Sequence, residues 1–251
     1  MPDDPRDELR ELLALATEHL WAELDRAGIG VPPRPAPVRQ DTLASPGPPA
    51  PAVPGATPDV RKRLAALAAE AAECTRCGLH AGRTRSVFAR GNPSAEGVCV
   101  GEGPGYHEDQ RGSPFVGKAG QLLDRMITAM GLGPDEIYIC NVVKCRPPGN
   151  RTPNPDEAAA CRPYLDGQLE AVEPRVIVAL GRCAAESLGV AEPGRRWRGQ
   201  WGAYGPVPVM PTYHPAYLLR NPEQKRPVWE DLQAVVARLG RPLPARGRRK
   251  A

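Results

Sequence analysis

The sequence predicts an α/β protein whose parallel sheet is covered on both faces by helices. Two observations carry this prediction. From residue 59 to about residue 240, short β-branched runs alternate with stretches of helical periodicity, as is typical of parallel sheets with helical crossovers. Glycine-rich or polar segments follow several of these runs, as expected where ligands bind beyond the carboxyl ends of parallel strands.

The first 58 residues differ in composition from the rest of the chain. Within residues 1–29, Leu and Trp recur at spacings of three and four between charged residues, which predicts an amphipathic helix. Residues 30–58 contain ten prolines and lack apolar periodicity, so we expect a disordered linker with polyproline II character. Since a single amphipathic helix needs an apolar surface, we expect it to bind a groove on a protein partner or on the rest of the chain.

The following domain, residues 59–240, contains four predicted strands and five predicted helices. The strands are β-branched runs at residues 97–101, 137–143, 175–180 and 207–213. The helices have apolar periodicity and start signals at residues 60–73, 120–130, 155–172, 182–188 and 227–239. Residues 241–251 are basic and are predicted to form a flexible tail.

Charge and hydropathy argue against membrane and secreted proteins. No apolar run reaches the roughly 18 residues of a membrane span, and the N-terminus is acidic where a secretory signal is basic, so we expect a cytoplasmic protein. Residues 1–59 carry ten acidic and five basic side chains, whereas the rest carries 19 acidic and 28 basic ones. Residues 60–251 thus have a net charge of +9, which would attract polyanions, although solubility and an arginine-rich coding bias explain the charge equally well.

Candidate ligand-binding residues lie at the strand ends and in one loop. The glycine-rich segment 101–105 either offers backbone N–H groups to a flat or anionic ligand or is a tight turn. Asn141 ends an apolar strand, and its amide suits the edge of a planar base. His214 precedes a proline, so its backbone is extended and its ring projects away from the sheet. Phe115, between glycines and proline, is either a hydrophobic plug or a stacking platform.

Four of the seven cysteines are candidates for a metal centre. Cys74 and Cys77 form a C-x-x-C at a predicted helix end, Cys145 follows the second strand, and Cys161 lies in the next helix. Without a secretion signal, structural disulfides are a poor explanation. Zinc and an iron–sulfur cluster both accept four thiolates, and the spacing leaves both open beside a redox C-x-x-C. The other three cysteines are interpreted as small buried apolar side chains.

Several longer motifs in a fixed order resemble one enzyme family. They are Cys74-Thr75-Arg76-Cys77, GEGPG at residues 101–105, GSPFVGKAGQLLD at 112–124, NVVKCRPP at 141–148, RTPNPDE at 151–157 and His214-Pro215-Ala216. Over roughly residues 60–240 the chain resembles the family 4 uracil-DNA glycosylases, the branch with a [4Fe–4S] cluster. The resemblance implies a three-layer α/β/α sandwich around a four-stranded parallel sheet. It also implies four ligands for the cluster: Cys74, Cys77, Cys145 and Cys161.

The resemblance further implies a substrate and a role for each candidate residue. Uracil in DNA would be rotated out of the base stack into a pocket. There Phe115 would stack on it, Asn141 would bond its O4 and N3 edge, and the turn at residues 102–103 would meet it with backbone donors from Glu102 and Gly103. His214 would bond O2 of the base as it departs with negative charge.

The resemblance leaves open which group positions the water. Better-known uracil glycosylases carry an aspartate where this chain has Gly103. We expect Glu102 or Glu108 to orient the water, unless departure of the base is so dissociative that little base catalysis is needed. Alternatively, Glu108 would crowd the C5 methyl group of thymine and so exclude that base.

One main function and two alternatives follow from these patterns. The main one is a monomeric DNA-repair glycosylase at the nucleoid that removes uracil from single- or double-stranded DNA. A non-catalytic iron–sulfur protein that binds DNA or a partner is the first alternative, and the intact Phe115, Asn141 and His214 argue against it. A nucleotide-binding or redox module is the second, and the absence of a phosphate-loop lysine argues against it. Since hydrolysis requires no electrons, we expect the cluster to be a structural clamp.

Overall fold

The computed structural model describes residues 57–192 and 194–243. The predicted helix at residues 1–29, nearly all of the linker at residues 30–58 and most of the tail lie outside the described residues. Within the described ranges, no helix is both long and apolar enough to cross a membrane.

Six strands form one sheet in the described part of the chain. They are β1 (Ala89–Gly91), β2 (Gly97–Gly101), β3 (Ile137–Asn141), β4 (Val176–Leu180), β5 (Gly202–Tyr204) and β6 (Val207–Thr212). The central strands lie parallel in the order β3-β2-β4-β6, and β1 and β5 pair antiparallel at the two edges. The predicted four-stranded parallel sheet is therefore confirmed. The edge strands were not predicted because each has only three residues and neither is fully buried.

Helices cover both faces of this sheet. In the described ranges they are α1 (Pro58–Glu73), α2 (Tyr106–Arg111), α3 (Lys118–Ala129), α4 (Pro155–Val172), α5 (Arg182–Ser187), α6 (Pro215–Arg220) and α7 (Lys225–Arg238). Helices α1, α4 and α5 share a core with Val98 and Val100, whereas α3, α6 and α7 share a core with Cys99. Since successive strand residues point to opposite faces, β2 is buried on both sides. The predicted three-layer sandwich is confirmed.

Three helices of the described ranges have only six residues, and of these α5 was predicted whereas α2 and α6 were not. Six residues show little more than one helical period, so periodicity identifies such helices poorly. Helix α2 follows the glycine-rich turn after β2, and α6 begins directly after His214. Both helices therefore start at the carboxyl edge of the parallel sheet.

The start of α4 illustrates how local signals fix an element near this edge. Pro155 occupies the first turn, and the Asn154 N–H donates to Glu157 Oε2 at 2.8 Å. The Arg151 guanidinium donates to both Glu157 oxygens at 2.8 and 2.7 Å. Arg151, together with the Asn154 N–H, lowers the pKa of Glu157 against the effect of burial. The Glu157 carboxylate, which caps the helix start, thus also fixes the position of the Arg151 guanidinium.

A buried ion pair joins the last helix to the sheet. The Asp231 carboxylate of α7 accepts from Arg198 Nη1 at 2.8 Å and from Thr212 Oγ1 at 2.6 Å. Burial raises the pKa of Asp231, and the Thr212 and Arg198 hydrogen bonds oppose this effect. Thr212 ends β6 two residues before His214, so the ion pair also anchors the strand end that carries a candidate site residue.

Replacing Asp231 with alanine should lower the free energy of unfolding by about 3–5 kcal/mol, because Arg198 would stay buried without its partner. Urea unfolding followed by circular dichroism measures this change. The matched control is Glu230→Ala on the same helix, whose 3.7 Å pair with Arg226 is exposed. It should change the free energy of unfolding by less than about 0.5 kcal/mol, and equal losses in the two variants would contradict the prediction.

Candidate active site

A cavity of about 480 Å³ lies at the carboxyl ends of the parallel strands. Its walls come from the turn after β2, the loop before α3, the end of β3, the segment before α4 and the start of α6. The structure brings all candidate residues for base binding and catalysis to these walls: Glu102, Gly103, Glu108, Phe115, Asn141 and His214.

Asn141 is the last residue of β3 and lies opposite Gly101 in the parallel register. It is only 1% exposed, and its Oδ1 has no hydrogen-bond partner within the described ranges. A Cβ at Gly101 would overlap this oxygen and would lie 2.5 Å from Phe115 Cζ, so only glycine lets both side chains reach the strand end. A buried carbonyl oxygen without a donor is costly, and this oxygen is available to accept a hydrogen bond from the N–H of a ligand.

Lys144 fixes the main chain at Asn141. It is 1% exposed, its Nζ donates to the Asn141 carbonyl oxygen at 2.5 Å, and its ammonium lies 5.9 Å from the centre of the Phe88 ring. Burial lowers the pKa of Lys144. Sequence analysis gave this lysine no role, although a lysine directly after an apolar run was a signal that could have identified it.

Phe115 forms an apolar wall next to His214. Its φ of +55° is rare for a bulky residue, and Arg90 Nε supports this conformation by donating to the Pro114 carbonyl oxygen at 2.9 Å. The rings of Phe115 and His214 are stacked, with centroids 5.5 Å apart and planes inclined by 30°. Such backbone strain is typical of ligand-binding sites.

Glu108 orders the loop that carries Phe115. Its Oε1 accepts hydrogen bonds from the N–H groups of Val116 and Gly117, each at 2.9 Å. These groups lie at the start of α3, where the helix dipole favours a carboxylate. Gly120 lets the loop lie against the helix, because a Cβ there would overlap the Phe115 carbonyl group. This loop-ordering contact was not expected from the sequence.

His214 is the N-cap of α6. Its Nδ1 accepts from the Ala216 N–H at 3.1 Å, so the proton of the neutral ring is on Nε2. Burial and the nearby Arg220 lower the pKa of His214 to about 4, against the opposing effect of Glu108. The ring is therefore neutral at physiological pH, and its Nε2–H can donate to a ligand.

The turn after β2 contributes Glu102 and Gly103. Burial raises the pKa of Glu102, and a hydrogen bond with Thr152 opposes this effect. A Cβ at Gly103 would lie 2.8 Å from Val143 Cγ2, so the turn runs too close to the chain after β3 for a side chain. Glu102 is the only carboxylate that this turn brings to the cavity.

Arg151, Thr152 and Arg220 also line the cavity, and sequence analysis gave them no role. Arg151 and Thr152 lie inside a motif that carried the resemblance, and Arg220 follows another by four residues. The two arginines add guanidinium groups to the cavity walls, and such groups suit a ligand with phosphates.

A second, apolar cavity is lined by all four candidate metal ligands, Cys74, Cys77, Cys145 and Cys161. Their thiols are free. No group of three or more His, Cys, Asp or Glu side chains within the described ranges is placed to hold a single metal ion. The four thiols that line this cavity supply the donor set of an iron–sulfur cluster, which is held by four thiolates.

Positive charge adjoins the cysteine cavity. Arg83 Nη1 donates to Cys145 Sγ at 3.3 Å and to the Cys74 carbonyl oxygen at 2.7 Å. Burial raises the pKa of the Cys145 thiol, and Arg83 opposes this effect. Lys144 acts in the same direction on Cys161, whose pKa burial also raises. Both cations favour thiolates, the form that binds metals. Arg83 lies outside the quoted motifs, so the sequence gave no signal for it.

Comparison with known proteins identifies the family. Residues 88–233 match the family model of the Uracil DNA glycosylase superfamily. The type-4 uracil-DNA glycosylase of Thermotoga maritima is 48% identical over 64% of this chain and 86% of its own length. That of Archaeoglobus fulgidus is 40% identical over 70% of this chain and 92% of its own length.

A relative from another branch is more distant. The type-5 uracil-DNA glycosylase of Thermus thermophilus is 33% identical over 52% of this chain and 68% of its own length. The resemblance to family 4 that the motifs indicated is thus confirmed. The chain belongs to the uracil-DNA glycosylase superfamily and, within it, to the type-4 family.

Proposed function

We propose that the protein removes uracil from DNA by hydrolysing the bond between N1 of the base and C1′ of the sugar, leaving an abasic site. The observation that carries this proposal is the buried amide of Asn141, whose Oδ1 has no partner in the described part of the chain. It lines one cavity together with an aromatic wall and a neutral imidazole. A flat base with adjacent N–H and C=O groups complements this set of side chains.

Base recognition follows from the groups on the cavity walls. Asn141 accepts from the uracil N3–H through Oδ1 and donates to O4 through its amide nitrogen, while Phe115 covers a face of the ring. Cytosine has an amino group in place of O4 and an acceptor at N3, so it would oppose both contacts. Each good bidentate contact contributes about 1–3 kcal/mol of discrimination.

His214 stabilises the departing base. Cleavage leaves negative charge on uracil and positive charge on the sugar, and a neutral imidazole with its proton on Nε2 donates to O2 of the leaving uracilate. A fixed donor to a developing anion is worth about 10²- to 10³-fold in rate. The Nδ1 contact with Ala216 keeps that donor in the required tautomer.

We propose that Glu102 orients the attacking water and that Glu108 positions the loop that carries Phe115. Burial raises the pKa of Glu102, which makes its carboxylate a better proton acceptor. Oε1 of Glu108 already accepts two backbone hydrogen bonds, so its main contribution is to hold Phe115 against the base. Exclusion of the thymine methyl group by Glu108 is compatible with that role.

We expect the positive charge of residues 60–251 to contribute to DNA binding. Residues 60–251 carry 28 basic and 19 acidic side chains, and such a surface attracts the phosphate backbone. A base inside a duplex cannot reach the cavity, so the nucleotide is flipped out before cleavage. Because one cavity holds all groups that the reaction uses, we propose that the protein acts as a monomer, at the nucleoid in the cytoplasm.

The cysteine cavity fits a [4Fe–4S] cluster held by Cys74, Cys77, Cys145 and Cys161. Bound there, the cluster would supply a rigid cross-link between α1, the end of β3 and α4. Cys145 lies two residues before the segment 147–152, four residues of which line the cavity of about 480 Å³ at the strand ends, here called the uracil cavity. We therefore propose a structural role, in which ligation of Cys145 orders this segment.

The first test uses an oligonucleotide with a single uracil, followed by alkali and gel electrophoresis. The wild type should cleave it, and Asn141→Asp should be slower by roughly 5- to 150-fold, because a carboxylate cannot donate to O4. Gln121→Glu, an exposed amide-to-acid change on α3, should retain the wild-type rate. An inactive wild type with the cluster bound would refute the proposed function and favour a non-catalytic binding protein.

The second prediction concerns pH. The pKa of His214 lies at about 4 rather than near the ordinary 6.5, so the neutral donor persists above pH 4 and is lost only as pH falls through that value. His214 should therefore contribute no titration near pH 6.5 to single-turnover excision. His214→Ala should reduce the single-turnover rate about 10²- to 10³-fold.

His107→Ala is the matched control, because His107 is exposed and does not line the cavity. At saturating enzyme it should leave the single-turnover rate and the pH profile unchanged. A midpoint near pH 6.5 that persists in Glu102→Gln, which removes the other proposed titrating group, would contradict the assignment of a neutral His214 held by Ala216.

The third prediction concerns the cluster. Cys161→Ser should abolish stoichiometric binding of iron and acid-labile sulfide and weaken DNA binding, because the segment after Cys145 would lose its anchor. Cys183→Ser is the control, since burial raises the pKa of Cys183 to about 12 and it lies outside the cysteine cavity. If Cys161→Ser retained wild-type iron content, the assigned ligands would be wrong. A folded apo form with full activity and DNA affinity would refute the structural role.

A further inference from the structure

Tyr106 is the first residue of α2 and stands out by its exposure. It is 54% exposed, the highest fraction among the large exposed apolar side chains of residues 57–192 and 194–243. The residue before it, Gly105, lines the uracil cavity. Neither base recognition nor cleavage, as derived above, uses this ring.

Arg146, from the segment between β3 and α4, contacts the Tyr106 ring. Its guanidinium carbon lies 5.2 Å from the centre of the Tyr106 ring, and its Nε donates to Asn150 Oδ1 at 2.7 Å. Asn150 itself lines the cavity. The stacked pair therefore connects the wall after β2 with the wall before α4.

His107 contacts Tyr106 without covering it. Its ring meets the Tyr106 ring edge to face, with centroids 5.5 Å apart and planes at 76°. The ring is thus held by a cation–π contact and an aromatic contact while more than half of the residue is exposed. A fixed aromatic ring under a guanidinium, next to a nucleotide cavity, matches the stacking platforms of proteins that bind single-stranded nucleic acid.

We propose that Tyr106 and Arg146 form a stacking platform for a nucleobase that neighbours the flipped uracil on the same strand. The inference rests on the proposed function for the identity of the neighbouring nucleotide. Only an unpaired base can leave its neighbours to stack on a protein ring, so the platform favours uracil in single-stranded DNA over uracil in a duplex. The Arg146 guanidinium would also provide a positive charge for the phosphate that joins this nucleotide to the flipped one.

The test compares Tyr106→Ala with Tyr106→Phe in the cluster-containing full-length protein. Fluorescence anisotropy measures binding to a uracil-free single strand and to the matching duplex. Tyr106→Ala should bind the single strand about 5- to 150-fold more weakly, with a much smaller change for the duplex, whereas Tyr106→Phe should keep the wild-type affinity. With uracil in a single strand, the loss should appear in KM rather than in kcat.

Trp201→Ala is the matched control. Trp201 is also an exposed aromatic residue, at 41%, and the Arg238 guanidinium carbon lies 5.7 Å from the centre of its ring. Neither Trp201 nor its neighbours in the chain line the uracil cavity. It should bind both DNAs like the wild type. Circular dichroism checks that every variant is folded.

Wild-type affinity of folded Tyr106→Ala for the single strand would overturn the platform, as would equal losses for single strand and duplex. Because the binding assay uses DNA without uracil, its result is independent of catalysis. A wild type that cleaves uracil while Tyr106→Ala binds normally refutes only the platform. A wild type that never cleaves refutes the proposed function instead.

Discussion

The site depends on the close approach of two side chains to one α-carbon, that of Gly101. A Cβ at this position would overlap Asn141 Oδ1 and lie 2.5 Å from Phe115 Cζ. The parallel register places Asn141 beside Gly101, and the Glu108 carboxylate holds the loop that brings Phe115 there. The proposed base-binding groups thus meet because a glycine ends the central strand β2. A larger residue at this position would displace the Asn141 amide and the Phe115 ring and so alter the cavity.

The same strand end connects base recognition with the cysteine cavity. Three residues separate Asn141 from Cys145, and the last of them, Lys144, donates to the Asn141 carbonyl oxygen at 2.5 Å. A buried ammonium is costly unless it is hydrogen-bonded and near negative charge, and a thiolate at Cys161 would supply that charge. Occupation of the cysteine cavity would therefore stabilise the lysine that fixes Asn141, in addition to ordering the segment after Cys145.

The sequence predicted those parts of the fold whose causes are local in the chain. β-Branched runs identified the parallel strands, and a polar residue after such a run pointed to Asn141 and, with a following proline, to His214. Contacts between distant segments left no such pattern. The Glu108 bond to the start of α3 and the Arg83 bond to Cys145 depend on tertiary packing, and the edge strands β1 and β5 are too short for a period of two to be recognised.

The absence of a side chain at Gly103 bears on the mechanism. Val143 Cγ2 would lie 2.8 Å from a Cβ there, so an aspartate at this position would require the Val143 side chain to shift. Glu102, one residue earlier, is the only carboxylate of the turn. A single partly buried carboxylate offers modest activation of water, whereas a neutral imidazole locked by Ala216 offers a fixed donor to the leaving uracilate. Under the proposed mechanism, catalysis would rely chiefly on stabilising the departing base, and water would attack once the sugar had gained positive charge.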